Sequence, residues 1–290
     1  MKTYHDLLWE IIQNGESHQD RTGVGTLSLF GKQWSHDMRD GFPLLTTKKL
    51  PFRWIAEELF WFLSGSTQEQ DLRAQGVDIW KEWATAEECQ KFGRVEGDLG
   101  PVYGALWRSF PVGSLGRAEE EIPACDQIAG LMRDLVEQPN SRRLIVTGWH
   151  PYYQRQVTLP SCHTLFQLKV HPRPSPHPEE LSLHLYAGSI DAFLGLPFNI
   201  ASYGLLLSLL ADATGRAPRR LVISFGDVHL YNTHINAARI QLSRPPRELP
   251  ILQLDLPGPG GLESLLACRY GHLNMENYNP HPAIHAEVAV

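Results

Sequence analysis

The segment Leu159-Pro160-Ser161-Cys162-His163 sets a cysteine at the opening of a stretch whose apolar residues alternate, Phe166, Leu168 and Val170. A strand beginning there aims the sulfur from a rigid sheet. A thiol attacks as its thiolate, a form that nearby positive charge favours, and Arg21, Arg142 and Arg143 stand in segments of loop composition. A lone cysteine is at least as often a buried structural residue, so its company decides between the two. A second candidate is the pair Glu57 and Glu58 within WIAEELFWFL, Trp54 to Leu63, which is apolar on nearly every side. A carboxyl placed there faces a polar cavity, and both proton transfer and a salt-bridged structural role suit it. His281 and His285 are four apart, but Pro282 intervenes and no third ligand accompanies them, so no metal is expected.

The elements that must position these groups follow from periodicity. Tyr4, Leu7, Leu8, Ile11 and Ile12 have helical spacing and Gly15 stops them. Trp54 to Leu63 reads as a buried helix, and Gly97 to Gly104 has the glycine and proline density of a structured loop. A helix is predicted from Asp126 to Glu137, with Ile128, Leu131, Met132 and Leu135 on one face, followed by a strand from Leu144 to Val146. Thr164 to Val170 and Leu181 to Tyr186 alternate as strands, and HPRPSPHPEE between them is an exposed hairpin loop by composition. Ile200 to Thr214 reads as a long apolar helix stopped by Gly215, and Leu221 to Phe225 as a further strand. Pro280 and Pro282 make the tail from Tyr278 extended.

The 290 residues are 42% hydrophobic and 20% charged, an ordinary globular balance. One domain over residues 1–290 is expected, with no internal repeat or interdomain linker. A formal net charge of −6 provides no general field for nucleic acid or an anionic membrane, so an anionic small substrate needs a local arginine cluster. Cys89, Cys125, Cys162 and Cys268 are widely spaced without a C-x-x-C pair, which suggests neither a zinc ribbon nor a disulfide scaffold and favours a reducing, cytoplasmic setting. No run of about 18 apolar residues is evident, so neither secretion nor membrane spanning is expected.

Six blocks then share a pattern: Asp20-Arg21-Thr22-Gly23, Gly97 to Gly104 (GDLGPVYG), Ser141-Arg142-Arg143, Pro160-Ser161-Cys162-His163, Phe193 to Tyr203 (FLGLPFNIASY) and Gly226 to Tyr231 (GDVHLY). In this order they resemble the motifs of the thymidylate synthase family. The resemblance runs from the first helix to the C-terminal valine, with the bacterial form lengthened chiefly around Thr85 to Glu96 and Pro172 to Pro178. It implies an α/β (α+β) fold, a large mixed sheet flanked by helices, whose sheets pack together across a homodimer interface. It also implies conversion of deoxyuridylate (dUMP) to thymidylate (dTMP), with 5,10-methylenetetrahydrofolate as co-substrate and no metal.

By the same resemblance, Cys162 matches the nucleophile that adds to the pyrimidine, and Glu58 and Tyr103 match the proton-transfer groups. Asn199 matches the amide that reads the base; donating to O4 and accepting from N3–H, it suits uracil where aspartate suits cytosine. On the residues alone, Asn199 reads equally as a helix cap before Ile200. Asp191 matches a carboxylate at the folate pterin. His229 and Tyr231 match the pair that binds the sugar hydroxyl, and His163 and Ser189 complete the nucleotide set. Trp80, Trp83, Leu194, Gly195, Phe198 and Val290 fall on the folate side, with Lys48 near its glutamyl tail, although a lysine is ordinarily solvated. Arg21 matches a phosphate ligand, and Arg142 and Arg143 match two that reach across from the partner subunit.

One position departs from the pattern. A fourth phosphate-binding arginine is expected just before Ser189, and Gly188 stands there. A charge-assisted bond of this type is worth about 1.5–3 kcal/mol, so phosphate binding is weakened or the ligand has changed. The tail HPAIHAEVAV keeps an apolar end but carries His285 and Glu287 where lysine and proline are common in the family. Hydroxymethylation of a pyrimidine nucleotide is the alternative within the family, and a non-catalytic binding role on the same scaffold is a third.

Overall fold

The computed structural model describes residues 2–19, 23–112 and 123–288. The chain opens with α1 (Lys2–Asn14), which buries Tyr4, Leu7, Leu8 and Ile11 as its spacing predicts. Two strands follow, β1 (Glu16–His18) and β2 (Thr26–Asp37). The next helices are α2 (Phe52–Ser64), α3 (Glu69–Arg73), α4 (Ala86–Gln90), α5 (Tyr103–Arg108) and α6 (Gln127–Glu137). After β3 (Ile145–Thr147) come β4 (His163–His171), β5 (Glu180–Asp191), α7 (Gly195–Ala213) and β6 (Ala217–Tyr231). The chain closes through α8 (Ile235–Leu242), β7 (Ile251–Leu254), α9 (Gly261–Ala267) and β8 (Leu273–Glu276).

Six strands form a mixed sheet in the order β1-β2-β6-β5-β4-β3. All neighbours are antiparallel except β5 and β6, which run parallel with α7 as their connection. A parallel pair requires such a crossover, and the helix covers the face that it crosses. Leu183 and Leu185 of β5 and Leu221 and Ile223 of β6 are fully buried on that face. The other face carries Gln33, Lys169, His184 and Arg220 and holds a groove of about 680 Å³. Beside the main sheet, β7 and β8 form a separate antiparallel pair.

Several expectations shift at their edges. The helix read from Ile200 begins earlier, at Gly195, because Asp191 folds back to accept the Phe193 and Leu194 amides and turns the chain into the helix. The strand read as Leu221–Phe225 extends to Ala217–Tyr231, since pairing on both sides satisfies backbone groups that local composition leaves ambiguous. No strand is read at Thr26–Asp37, where glycine, serine and histidine blur the alternation, yet β2 forms there along most of β6. The loop Gly97–Gly104 holds to Val102, and Tyr103 opens α5. Gly104 lets α5 touch α2 closely, since a Cβ there would lie 2.3 Å from the Phe62 carbonyl oxygen. From Tyr278 to Val288 the tail has neither helix nor strand.

Gly195–Ala213 is long and apolar enough to cross a membrane, which the sequence reading did not register. It is 83% buried inside the protein, the circumstance of a core helix.

Candidate functional site

Cys162 immediately precedes β4, on the edge of the sheet where β5 ends. His163 pairs with Ala187, and the Gly188 amide donates to the Cys162 carbonyl at 2.8 Å. The ends of parallel strands are where α/β sheets open into clefts. Cys162 is half-buried and outside any disulfide. Its own amide donates to the Tyr103 hydroxyl at 2.9 Å, which pins the start of β4 to the start of α5.

Around this point the structure gathers Glu58, Trp80 and His163. The Trp80 indole N–H donates to Glu58 Oε1 at 2.7 Å. Burial pushes the Glu58 carboxyl up to about 7, and the Trp80 bond only partly opposes it. Burial also raises the Tyr103 hydroxyl well above its ordinary value, so it keeps its proton. His163 lies 5.0 Å from the Tyr103 ring and 5.2 Å from that of Tyr203. Burial lowers it to about 4, with the Asn199 side chain pulling the other way, so its imidazole is neutral near pH 7. Asn199 lies within α7, whose cap is Leu194, so the cap reading of Asn199 is corrected. Glu57, its sequence neighbour, is also buried but points elsewhere, 3.9 Å from Arg53.

A second cluster forms where β5 runs into α7. Asp191 Oδ1 accepts from Phe193 N at 2.8 Å and Oδ2 from Leu194 N at 3.0 Å, with His234 Nδ1 at 3.8 Å. Burial raises the Asp191 carboxyl, but His234 and the two amides outweigh it and hold it below its usual value. Lys48 is buried, unlike an ordinary solvated lysine. Its ammonium donates to the Phe193 carbonyl and sits 3.7 Å from that ring's centre. Burial lowers it to about 8, with Asp191 raising it in part. Gly195 opens α7 beside Asp191; Leu194 and Phe198 are partly buried there.

His229 sits opposite Asp191, and Ser189 opposite Asp227, on the paired ends of β5 and β6. His229 Nδ1 bonds Asp227 Oδ1 at 2.7 Å, which fixes the orientation of the ring. The Tyr231 ring meets His229 edge-on at 5.2 Å. Trp83 meets Trp80 the same way at 5.9 Å and lines a cleft of about 370 Å³ with Leu159 and Pro160.

Arg142 and Arg143 are not brought to Cys162 within the chain. They lie exposed before β3, Arg142 lines the groove on the sheet's open face, and its carbonyl is held by Gln167. The four strand steps from His163 to Gln167 correspond to roughly 13 Å. Arg21 and Val290 lie outside the described residues. Gly188 is exposed beside Cys162, and a Cβ added there would meet nothing nearer than Thr164 Oγ1 at 3.4 Å.

Three contributors escape sequence reasoning. Asp227 orients His229, and only the period-two spacing within GDVHLY hinted at it. His234 joins the Asp191 cluster from the turn after β6. Arg94 donates to the Gln156 carbonyl and packs on Gly100, whose φ is +79°, tying the loop before α5 to the one leading to Cys162. No local signal marks such a strap. No group of three or more metal-ligating side chains occurs among the described residues.

A half-buried thiol beside a carboxyl titrating near neutrality, at the end of two parallel strands, defines an α/β site suited to covalent attack through sulfur with proton transfer close by. The family comparison makes the class specific. The sequence model described as thymidylate synthase matches residues 2–290, and the chain belongs to the thymidylate synthase family. It is accordingly an α/β enzyme of one-carbon transfer.

Proposed function

We propose that the chain methylates deoxyuridylate, acting as one catalytic domain in a cytoplasmic homodimer. The observation that carries this reading is the convergence of Cys162, Tyr103 and Glu58 at the start of β4, in a family of nucleotide one-carbon transferases. Cys162 adds to C6 of the uracil ring, which makes C5 nucleophilic. Methylenetetrahydrofolate, when bound, supplies both the carbon unit and the hydride and leaves as dihydrofolate. Glu58, with its carboxyl near 7, holds and releases a proton at the ring face close to neutral pH. Tyr103 stays protonated and joins the same proton network. Loss of the Cys162 sulfur then restores the ring.

Asn199 and neutral His163 supply polar atoms for the base, and His229, Tyr231 and Ser189 those for the sugar and phosphate side. The folate side fits the residues present. Asp191 is an ionised acceptor with its geometry fixed by two amides, as pterin N–H donors require. Trp80 and Trp83 provide aromatic surface beside a cleft, and Lys48 a buried cation. Leu194, Gly195 and Phe198 border Asp191, and the tail closes over this side.

Arg142 and Arg143 support a homodimer, because within one chain they lie away from Cys162, beside an open sheet face with a large groove. Two such faces packed together carry each pair of arginines to the other subunit's nucleotide, completing an isologous interface. Arg21 is the phosphate ligand from the same chain in this reading.

Incubation with deoxyuridylate and methylenetetrahydrofolate, read by mass spectrometry and by folate absorbance, tests the proposal. A methylated nucleotide with stoichiometric dihydrofolate is expected. A hydroxymethylated product without folate oxidation rejects methylation in favour of the sister reaction.

A further inference from the structure

His234 is 1% exposed and stands between the C-terminal segment and the Asp191 cluster. Its Nε2 lies 2.7 Å from the Glu287 carbonyl oxygen. A carbonyl only accepts, so Nε2 carries a hydrogen. Nδ1 then points at Asp191 Oδ1 from 3.8 Å and makes no hydrogen bond among the described residues. In the neutral ring that geometry sets a lone pair against a carboxylate. In the protonated ring it sets an N–H⁺ there instead.

The tail is fastened unevenly. Tyr278 donates to the Leu45 carbonyl, His281 N to the Thr46 carbonyl, and Arg244 to the Pro282 carbonyl. Past Pro282 the His234 contact is the one hydrogen bond holding the segment among the described residues. The end of the tail therefore depends on a ring whose other nitrogen faces Asp191.

We propose that His234 is a positioning residue that bolts the C-terminal segment to Asp191: protonated, it bridges the Glu287 carbonyl and the carboxylate, and neutral, it keeps only the first. The proposal rests on the synthase reading insofar as that reading puts both Asp191 and the tail at the folate. The groups facing the ring are Asp191 from β5, Lys48 from the segment before α2, and the rings of Phe193, at 5.6 Å, and Tyr231, at 5.5 Å. Burial and Lys48 disfavour the imidazolium, while Asp191 and the Glu287 carbonyl favour it and raise His234 above its ordinary value. With the native value raised, the bolt is complete on the acid side and is lost as pH rises through that value.

The test follows removal of C-terminal residues by carboxypeptidase from the intact chain without ligands, at about pH 6 and about pH 8, normalised to a peptide of the tail sequence. Wild type should be protected about 5- to 10-fold more at the lower pH. His234→Gln, which retains a donor for Glu287 but cannot become cationic, should show no pH dependence. His234→Phe, which preserves packing, should be cleaved rapidly at both. The comparison also separates His234 from His281 and His285, which both variants retain. A pH effect that persists in His234→Gln, or equal protection in all three proteins, overturns the proposal. In turnover, His234→Gln should raise KM for methylenetetrahydrofolate about 10-fold with little change for the nucleotide, whereas a merely structural loss would raise both. Should wild type make no methylated product, the synthase reading fails, and the protection measurement still decides the role of His234.

Discussion

Glu58 and Asp191 are the same functional group in two clusters of the molecule, and the protein drives them in opposite directions. Both are partly withdrawn from water. Among the described residues Glu58 receives a single donor, the Trp80 indole, and burial wins, lifting it to about 7. Asp191 receives two backbone amides and faces His234, and those donors win, holding it ionised. The number of donors aimed at the charged form, rather than burial itself, decides which carboxyl exchanges a proton and which stays an anion. The proposed reaction, which moves a proton at one substrate and anchors another, calls for one of each.

The largest test removes the group both halves serve. Cys162→Ser should abolish turnover with the fold intact, because an un-ionised hydroxyl is a far weaker nucleophile than a thiolate. Near wild-type rates with unchanged circular dichroism would refute covalent attack through this residue.

Glu58→Gln should cut kcat by about 10²- to 10⁴-fold if this carboxyl relays the proton. It should also stabilise the protein at alkaline pH. A native value raised to about 7 means the carboxyl's contribution is fully present below its unfolded value and lost as pH rises through 7. Removing the charge should then gain on the order of 2 kcal/mol near pH 8 and almost nothing near pH 4, read from urea unfolding at the two pH values.

Asp191→Asn should reverse the sign. The lowered carboxyl contributes stability above its unfolded value and loses it as pH falls. The variant should therefore be weaker near neutrality, by roughly 1–3 kcal/mol, with the deficit shrinking in acid. A gain in stability at neutral pH would end the contrast between the two carboxyls.

Two smaller changes sharpen the Cys162 half. Gly188→Arg has room for its Cβ, and its backbone is not in the left-handed region. KM for deoxyuridylate should fall about 10-fold, with no gain for deoxyuridine. Absence of a selective gain would show that Gly188 does not mark a weakened phosphate site. Trp80→Phe removes the one donor that opposes burial at Glu58, so the titration of kcat governed by that carboxyl should move upward by about one pH unit. An unmoved pH profile would separate Glu58 from the rate.

Much of this molecule was legible in the chain itself. Tyr4, Leu7, Leu8 and Ile11 declared α1 through helical spacing, and Phe166, Leu168 and Val170 declared β4 through alternation, because each burial pattern is local and periodic. The motif blocks named Cys162, Tyr103 and Asn199 as candidates, and the wider family resemblance added Glu58 and Asp191, since residue types at fixed spacing survive without coordinates. Tertiary structure alone decided the rest. The polar residues of β2 become a strand only by pairing with β6, and Asn199 enters a helix because Asp191 turns the chain before it. Lys48 is buried by elements distant in sequence, and Trp80 at Glu58 and His234 at Asp191 likewise arrive from other elements. Burial and hydrogen bonding depend on which distant segments meet, and it is that meeting, not composition, that sets the charge on each side chain.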